Sequence, residues 1–571
     1  MKNFKKIVSA AIAAAALDKW SQCALTADAV EEMLEYPPDD TMGDLALPCF
    51  KLSRTLRCAP PAIAAALAEG LASCDAAVVS VAGGYLNLKL SDKYLTEHVL
   101  AQIESRGEKY GANNMGEGKT VVLDYSSPNT SKPYHIGHLG TTVIGHSLKL
   151  LHQFCGYNCV GINHLGDWGT QNGKQIVAYR RWGSREAVEA GGVDELVRLY
   201  VKFHEEAEKD PSLNDEARAA FAALEHHDPE CIALWKWFLE LSMKEYQKTY
   251  KQLGIEFDSY KGESFYSDKM PAVVEELKEK NLLSVDDGAS IVDLSAYNMP
   301  PCLILKRDGT TLYPARDIAA ALYRKKTYDF AKCIYVTSAG QSLHFAQWFK
   351  VLELMGYGWA KDELVHVPYG TVSVNGSKLS TRAGNMVLLR DLFALSIEKT
   401  SEIMAVKNPN LPDRESVAEA VGIGAVIFNY LYNSRIKDIN FVLENALSFE
   451  GNTGPYAQYT YARTRSILEK AGDISSVAAS CITAPEESAL LVTLSKFPEK
   501  VLDAVEQYEP SVITRYVIDV CSAFNRFYQA CPILNADDPA VRAFRVHLTG
   551  AAGTVLANAL HLICIRTPEK I

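Results

Sequence analysis

One stretch, TVVLDYSSPNTSKPYHIGHLG (120–140), limits the possible folds of this chain more than any other. TVVLDYSS (120–127) reads as a buried strand, and from His138 onward Leu139, Val143, Ile144, Leu148, Leu151 and Phe154 recur at helical spacing. A strand, a polar turn and a helix open a parallel α/β unit, and open α/β sheets bind ligands at the carboxyl ends of their strands. The turn carries His135, Gly137 and His138, with Lys132 three residues before the first histidine.

At 571 residues the chain is too long for one hydrophobic core. Residues 1–112 mix helical patterns with the strand-like run VVSVAGGYLNLKLS and end in a Gly- and Asn-rich linker, which predicts a small α+β domain. From about 180 to 257 the pattern is helical and highly charged, as expected of an insertion reaching to about 290. ASIVDL (289–294), PCLILK (301–306), KCIYVTS (332–338) and LVHVPYGTVSV (364–374), with helical patterns at 314–326 and 341–356, then predict that the α/β domain resumes and runs to 401. Residues 402–571 are helical in periodicity almost throughout, with Pro and Gly only at joints, which predicts an all-helical final domain. No internal repeat is visible.

Composition narrows the function classes. Thirteen cysteines without a C-x-x-C pair fit neither a disulfide framework nor a zinc ribbon, and predict reduced thiols in a cytoplasmic protein. HHDPEC (226–231) lacks a second ligand pair at suitable spacing, so no resident metal is expected. No run approaches the ~18 apolar residues of a membrane span. MKNFKKIVSAAIAAAAL imitates a signal peptide, but its alanine-rich stretch runs straight into DKWSQ, and a first amphipathic helix is expected instead. The net charge of -11 argues against wholesale coating of nucleic acid while leaving room for a local basic groove.

Two stretches carry phosphate chemistry. His135 and His138 lie at a helix N-terminus, where free N–H groups and the helix dipole favour an anion, and Gly137 allows close backbone approach; the same pair also reads as polar residues capping the helix. NGSKLSTRAGN (375–385) follows the last α/β strand and sets Lys378 and Arg382 between glycines. It reads as a basic loop that closes on a triphosphate, or as solvated surface. GEGKT (116–120) lacks the first glycine of a phosphate loop and precedes its strand, so it reads as linker.

HIGH at 135–138 and KLSTR at 378–382 resemble the two signatures of class I aminoacyl-tRNA synthetases. SSPNTSKPYHIGHLG (126–140), INHLGDWGTQ (162–171), DGTTLYPARDIAAA (308–321) and FEGNTGPYAQYTYAR (449–463) together resemble arginyl-tRNA synthetases, in the family's order and over nearly the whole chain. The resemblance implies a Rossmann-type catalytic domain at 113–401 with a helical insertion, an N-terminal tRNA-binding domain at 1–112 and a helical anticodon-binding domain at 402–571. It implies a ligase that makes arginyl-adenylate from L-arginine and ATP, with Mg2+ accompanying ATP and no permanent cofactor. The product is passed to the 2′-hydroxyl of the terminal adenosine of tRNA(Arg) by a monomeric enzyme, in a family notable for needing bound tRNA before it activates arginine.

The resemblance also implies roles for residues. Lys132, His135, His138 and Lys378 would act on the reacting phosphates, with Gly137, Ser380 and Arg382 completing the ATP contacts. Asp317 and Tyr313 would take the guanidinium, and as residues four apart they would share one helix face. Asn129 and Gln341 would hold the α-amino and carboxylate groups, and Asp124 would contact arginine with a shorter reach than the glutamate of some relatives. Gly166 and Gly169 would make tight turns, Trp168 would be core, and His164 and Asp167 would face the site. Asn87 would read a base of the tRNA's D-loop corner. Tyr456, Tyr459 and Arg463 would stack unpaired anticodon bases, although the same spacing, like that of SAFNRFYQ (522–529), also suits a helix-bundle core. Two departures stand out: Gly140 where many relatives carry arginine, and His146 where an acidic or amide residue is common.

Overall fold

The computed structural model describes residues 2–39, 42–307, 309–374, 377–378, 387–472 and 481–571. Helix α1 (Lys2–Lys19) buries Phe4, Val8, Ile12 and Ala16 at helical spacing, the amphipathic first helix expected of the N-terminal stretch. It packs beside an antiparallel sheet, β1 (Leu45–Pro48), β2 (Ala77–Ala82) and β3 (Tyr85–Leu90), in the order β1-β3-β2. VVSVAGGYLNLKLS is thus a hairpin, folded at Gly83, whose φ of 61° suits a residue without a side chain. The helical run over 92–106 then leaves this unit and buries Leu95, Leu100 and Ile103.

A four-stranded parallel sheet forms the centre. Its strands are β4 (Thr120–Asp124), β5 (Asn158–Ile162), β9 (Lys332–Ser338) and β10 (Leu364–Tyr369), in the order β10-β9-β4-β5. Helix α2 (Ile136–Phe154) links β4 to β5, burying Leu139, Val143, Ile144, Leu148 and Leu151 as their spacing predicts. The chain leaves β4 towards β5 and returns on its other side as β9, so the switch point, where open sheets take ligands, lies at the end of β4.

Between β5 and β9 the helices α3 (Thr170–Trp182), α4 (Arg185–Lys209), α5 (Ser212–Glu225) and α6 (Pro229–Leu253) form the insertion, beginning ten residues before the expected start near 180. Asp228 of HHDPEC caps α6, accepting from the Cys231 amide. Past α6 one expectation fails. ASIVDL and PCLILK do not join the parallel sheet; with β6 (Ser284–Asp286) they form a separate antiparallel sheet as β7 (Ala289–Val292) and β8 (Cys302–Leu305). The link between β7 and β8 is shorter than the dozen or more residues a parallel crossover needs, so the two strands pair as neighbours.

Helices α7 (Tyr313–Tyr328) and α8 (Ser342–Leu354) flank β9. Beyond β10, β11 (Val372–Val374) pairs with both β12 (Ser377–Lys378) and β13 (Ile439–Phe441). Helix α9 (Leu389–Lys407) runs through the boundary expected at 401, and α10 (Arg414–Tyr432) packs against it. The final region is therefore all helical only after β13. It comprises α11 (Gly454–Ala471), α12 (Pro485–Ser495), α13 (Phe497–Glu506), α14 (Ser511–Ala530) and α15 (Pro539–Leu562). One apolar cluster runs from α1 through α2 into these helices. No helix of the described residues is long and apolar enough to cross a membrane.

Candidate active site

The loop after β4 has an uncommon backbone. Ser126, Ser127 and Ser131 have φ of 73°, 46° and 59°, in the left-handed region that side chains disfavour. Each amide is held by a side chain from a different element: Ser126 N–H by Thr141 Oγ1 at 3.1 Å, Ser127 N–H by Asn163 Oδ1 at 3.2 Å, and Ser131 N–H by Ser242 Oγ at 2.9 Å.

At the start of α2 both signature histidines cap the helix. His135 Nδ1 accepts from the Gly137 amide at 3.1 Å, and His138 Nδ1 accepts from the His135 amide at 3.2 Å. A ring nitrogen that accepts from an amide carries no proton, so each neutral ring is protonated at Nε2 and offers that N–H as a donor. Burial, aided by the Lys132 charge, lowers His135 to about 4; burial, aided by His135 and Lys132, lowers His138 to about 3. Lys132 is itself lowered by burial. The capping and phosphate readings therefore describe opposite sides of the same rings. Gly137 makes this possible, because a Cβ there would sit 2.8 Å from His135 Cε1.

Beside the helix start lies an open cleft of about 800 Å³. Asn129 and His138 line it, as do Tyr313 and Asp317 of α7 and, after β9, Gln341 and His344. Helix α7 starts at Tyr313, which puts Tyr313 and Asp317 on one face as their spacing predicts. Asp317 Oδ2 lies 2.6 Å from His344 Nε2. A second acid, Glu263, also lines the cleft, paired with Arg316 at 2.8 Å. Burial pushes Glu263 up to about 7, with the Arg316 charge opposing and the Asp317 charge adding. The sequence carries no periodic signal for Glu263, which reaches the cleft from a short helix 54 residues before Asp317.

Two expected residues stand differently. Asp124 offers no free carboxylate: one oxygen pairs at 2.8 Å with Arg324, 1% exposed, and the other accepts from Ser127 Oγ at 2.9 Å. Contact with a second guanidinium would displace partners it already holds. Asn87 is on the middle strand β3 and only 6% exposed; exposed aromatics nearby include Phe50 and Tyr85, edge to face at 5.8 Å. Lys378 lies on β12, and Ser380 and Arg382 fall outside the described residues.

The 162–171 stretch divides between cleft and core. His164, Gly166 and Gly169 line the cleft; a Cβ on Gly166 would lie 2.0 Å from Asn129 Oδ1. Asp167 turns away and accepts from the Ser264 amide and hydroxyl at 2.9 and 2.6 Å. Trp168 is mostly buried against Trp235, yet its edge reaches the cleft. Gly140 admits the Tyr430 hydroxyl of α10, which a Cβ would meet at 2.0 Å. His146 is half-buried, lies 3.2 Å from the Tyr125 hydroxyl, and is lowered by burial to about 3.

On α11, Arg463 lies over the rings of Tyr459 and Tyr528 at 4.9 and 5.0 Å, both rings being partly exposed. Tyr456 is turned inward and accepts from Asn525 Nδ2 at 2.9 Å, while Asn525 Oδ1 accepts from Arg463 at 2.6 Å. Tyr456 is thus packed in the bundle, whereas the rings of Tyr459 and Tyr528 are exposed.

Comparison with known proteins agrees with this arrangement. Residues 99–443 match the family described as tRNA synthetases class I (R), catalytic domain. Residues 457–571 match the DALR anticodon binding domain, and residues 2–90 the arginyl tRNA synthetase N terminal domain. The chain is 49% identical over 543 residues to an arginine–tRNA ligase of Alkaliphilus metalliredigens, covering 95% of this chain and 96% of that protein. It is 52% identical over 548 residues to one of Clostridium botulinum strain 657, covering 96% and 97%. Among solved structures, the Thermus thermophilus arginyl-tRNA synthetase superposes with a TM-score of 0.82 at 26% identity, covering 98% of this chain and 99% of that one.

Proposed function

The chain belongs to the arginyl-tRNA synthetase family, and from that membership we infer that it charges tRNA(Arg) with arginine through the cleft beside α2. The arginine carboxylate attacks the α-phosphate of ATP in line, pyrophosphate departs, and the 2′-hydroxyl of the tRNA's terminal adenosine then displaces AMP. No protein nucleophile is needed, and catalysis is positioning and charge stabilisation. The observation that carries this reading is the double cap at His135 and His138, which leaves two neutral Nε2–H donors at a helix N-terminus beside an acid-lined cleft.

In this mechanism His135 and His138 donate to ATP oxygens as negative charge moves off the α-phosphate, and Gly137 lets the nucleotide approach. Lys132 adds positive charge from the loop side, and Lys378, Ser380 and Arg382 follow the departing pyrophosphate. Asp317 receives the guanidinium, with Tyr313 beside it and Glu263 as the second acid; Asn129 and Gln341 take the α-amino and carboxylate groups. Asp124 serves indirectly, by holding Ser127 of the cleft and the buried Arg324. Tyr459 and Arg463 with Tyr528 stack anticodon bases, Tyr456 supports them, and the β1–β3 sheet meets the tRNA through Phe50 and Tyr85, with Asn87 beneath. Mg2+ enters with ATP, held by phosphates and water; among the described residues no group of three His, Cys, Asp or Glu is placed to hold a metal. The enzyme acts as a cytoplasmic monomer.

The test is charging of total tRNA with ATP, Mg2+ and each labelled amino acid in turn. Incorporation of arginine alone is expected. Incorporation of another amino acid, or of none, would refute the assignment.

A further inference from the structure

Helix α6 of the insertion reaches the loop before α2 and the start of α9 from one turn. Ser242, Glu245 and Tyr246 stand at i, i+3 and i+4, so they share a face. Ser242 accepts from the amide of Ser131 at 2.9 Å, holding that residue at its φ of 59°. The Tyr246 hydroxyl lies 2.7 Å from the carbonyl oxygens of both Asn129 and Lys132, the loop residues that the proposed function gives to arginine and to phosphate. Tyr246 is wholly buried, its ring 5.7 Å from that of Tyr134.

Glu245, between them, faces the start of α9. With Asp194 of α4 it binds Arg390, at 3.4 and 2.8 Å respectively. Arg390 is the second residue of α9, where the chain emerges from the KLSTR segment. The same emerging strand is tied to the histidine helix, since Ile136 N–H donates to Val387 O at 3.1 Å and Leu389 N–H to Tyr134 O at 3.0 Å.

A buried tyrosine needs some acceptor, and any carbonyl would serve. Here the acceptors belong to the two loop residues nearest the chemistry, and the adjoining positions on the same turn hold a left-handed serine and the start of α9. We propose that the Ser242–Tyr246 turn of α6 is a strut that fixes the 129–132 loop against the start of α9, with Tyr246 and Glu245 as positioning residues. The strut makes the insertion a working part of adenylate formation. Misplacement of about 1 Å costs up to ~100-fold in such reactions, so loss of one hydrogen bond in the strut is visible in rate before it is visible in stability.

This inference rests on the proposed function, and its test separates the two. Arginine-dependent exchange of pyrophosphate into ATP is measured with tRNA present, for the full-length wild type, Tyr246→Phe and Glu245→Gln, alongside thermal unfolding of each. Phenylalanine keeps the ring packing and removes only the hydroxyl. The strut predicts that Tyr246→Phe lowers kcat about tenfold at a temperature where the protein is fully folded, with KM for arginine unchanged within about twofold. Glu245→Gln should raise KM for ATP about threefold or more without changing that for arginine. If Tyr246→Phe fails to fold, Glu245→Gln decides alone. Active wild type with both variants within about twofold of it, or with loss that only tracks the unfolded fraction, would overturn the strut. A wild type with no arginine-dependent exchange would overturn the proposed function itself.

Discussion

The signature histidines are constrained twice, by the helix they cap and by the anion they face. Their folded values of about 4 and 3 lie below the ordinary 6.5, so the unfolded chain takes up protons first as pH falls. Their contribution to stability is complete above 6.5 and is lost as pH falls from there towards 4. The catalytic counterpart is that kcat for adenylate formation shows no inflection from these rings between about pH 5.5 and 8, checked by pyrophosphate exchange across that range. Glu263 has the opposite sign. Raised to about 7 from 4.5, it holds a proton in the folded chain that the unfolded chain releases, so its contribution is present below 4.5 and lost as pH rises through 7. A bound guanidinium favours the ionised form, and KM for arginine should fall as pH rises through 7, a slope that Glu263→Gln removes. Gly140 makes a packing prediction: Gly140→Ala meets the Tyr430 hydroxyl and should destabilise by about 1–3 kcal/mol in denaturant melts, with part of the loss recovered by adding Tyr430→Phe. The cap made by His135 and His138 and the shared face of Tyr313 and Asp317 were legible because their motifs fix both residue type and local spacing. Glu263 and Arg324 were not, since each acts across a contact between distant segments.

Among the elements, α2 and α7 were readable because their apolar residues recur at helical spacing, although α2 is covered on both sides, by the parallel sheet and by the C-terminal helices. The strands β7 and β8 misled for a physical reason: an apolar run of four to six residues reads alike in a buried parallel strand and in a half-exposed hairpin, and only connection length separates them. The 92–106 run is the element most informative about boundaries. It follows the N-terminal sheet in sequence but packs on the C-terminal helices α12 and α15, with the Ser488 hydroxyl donating to Asp92 Oδ1 at 3.3 Å and His547 Nδ1 2.5 Å from Glu104 Oε1. A cut at 90 should leave the remaining chain folding cooperatively with weakened tRNA binding and retained ATP binding. A cut at 112 also strips Leu95, Leu100, Ile103 and Tyr110 from their neighbours and should lower the thermal midpoint well below that of the shorter deletion. Equal midpoints would show that the helical run is dispensable to the C-terminal core.

At the scale of the molecule, the parallel sheet supplies the switch point, the insertion walls one side of the cleft, and the C-terminal helices support the back of α2 through one continuous core. The two faces assigned to tRNA, around Phe50 and Tyr85 and around Tyr459 and Arg463, lie in different units on either side of the catalytic sequence. Arg463→Ala should weaken tRNA binding about tenfold while pyrophosphate exchange at saturating tRNA is unchanged. The central claim is that this cleft activates arginine with ATP through the donors of the histidine pair. It is tested most directly by comparing wild type and His138→Ala in arginine-dependent pyrophosphate exchange at saturating tRNA, with tRNA affinity measured in parallel. Loss of the His138 donor should cost at least ~100-fold in exchange, with tRNA affinity within about twofold of wild type. Exchange at the wild-type rate in the variant would contradict the claim.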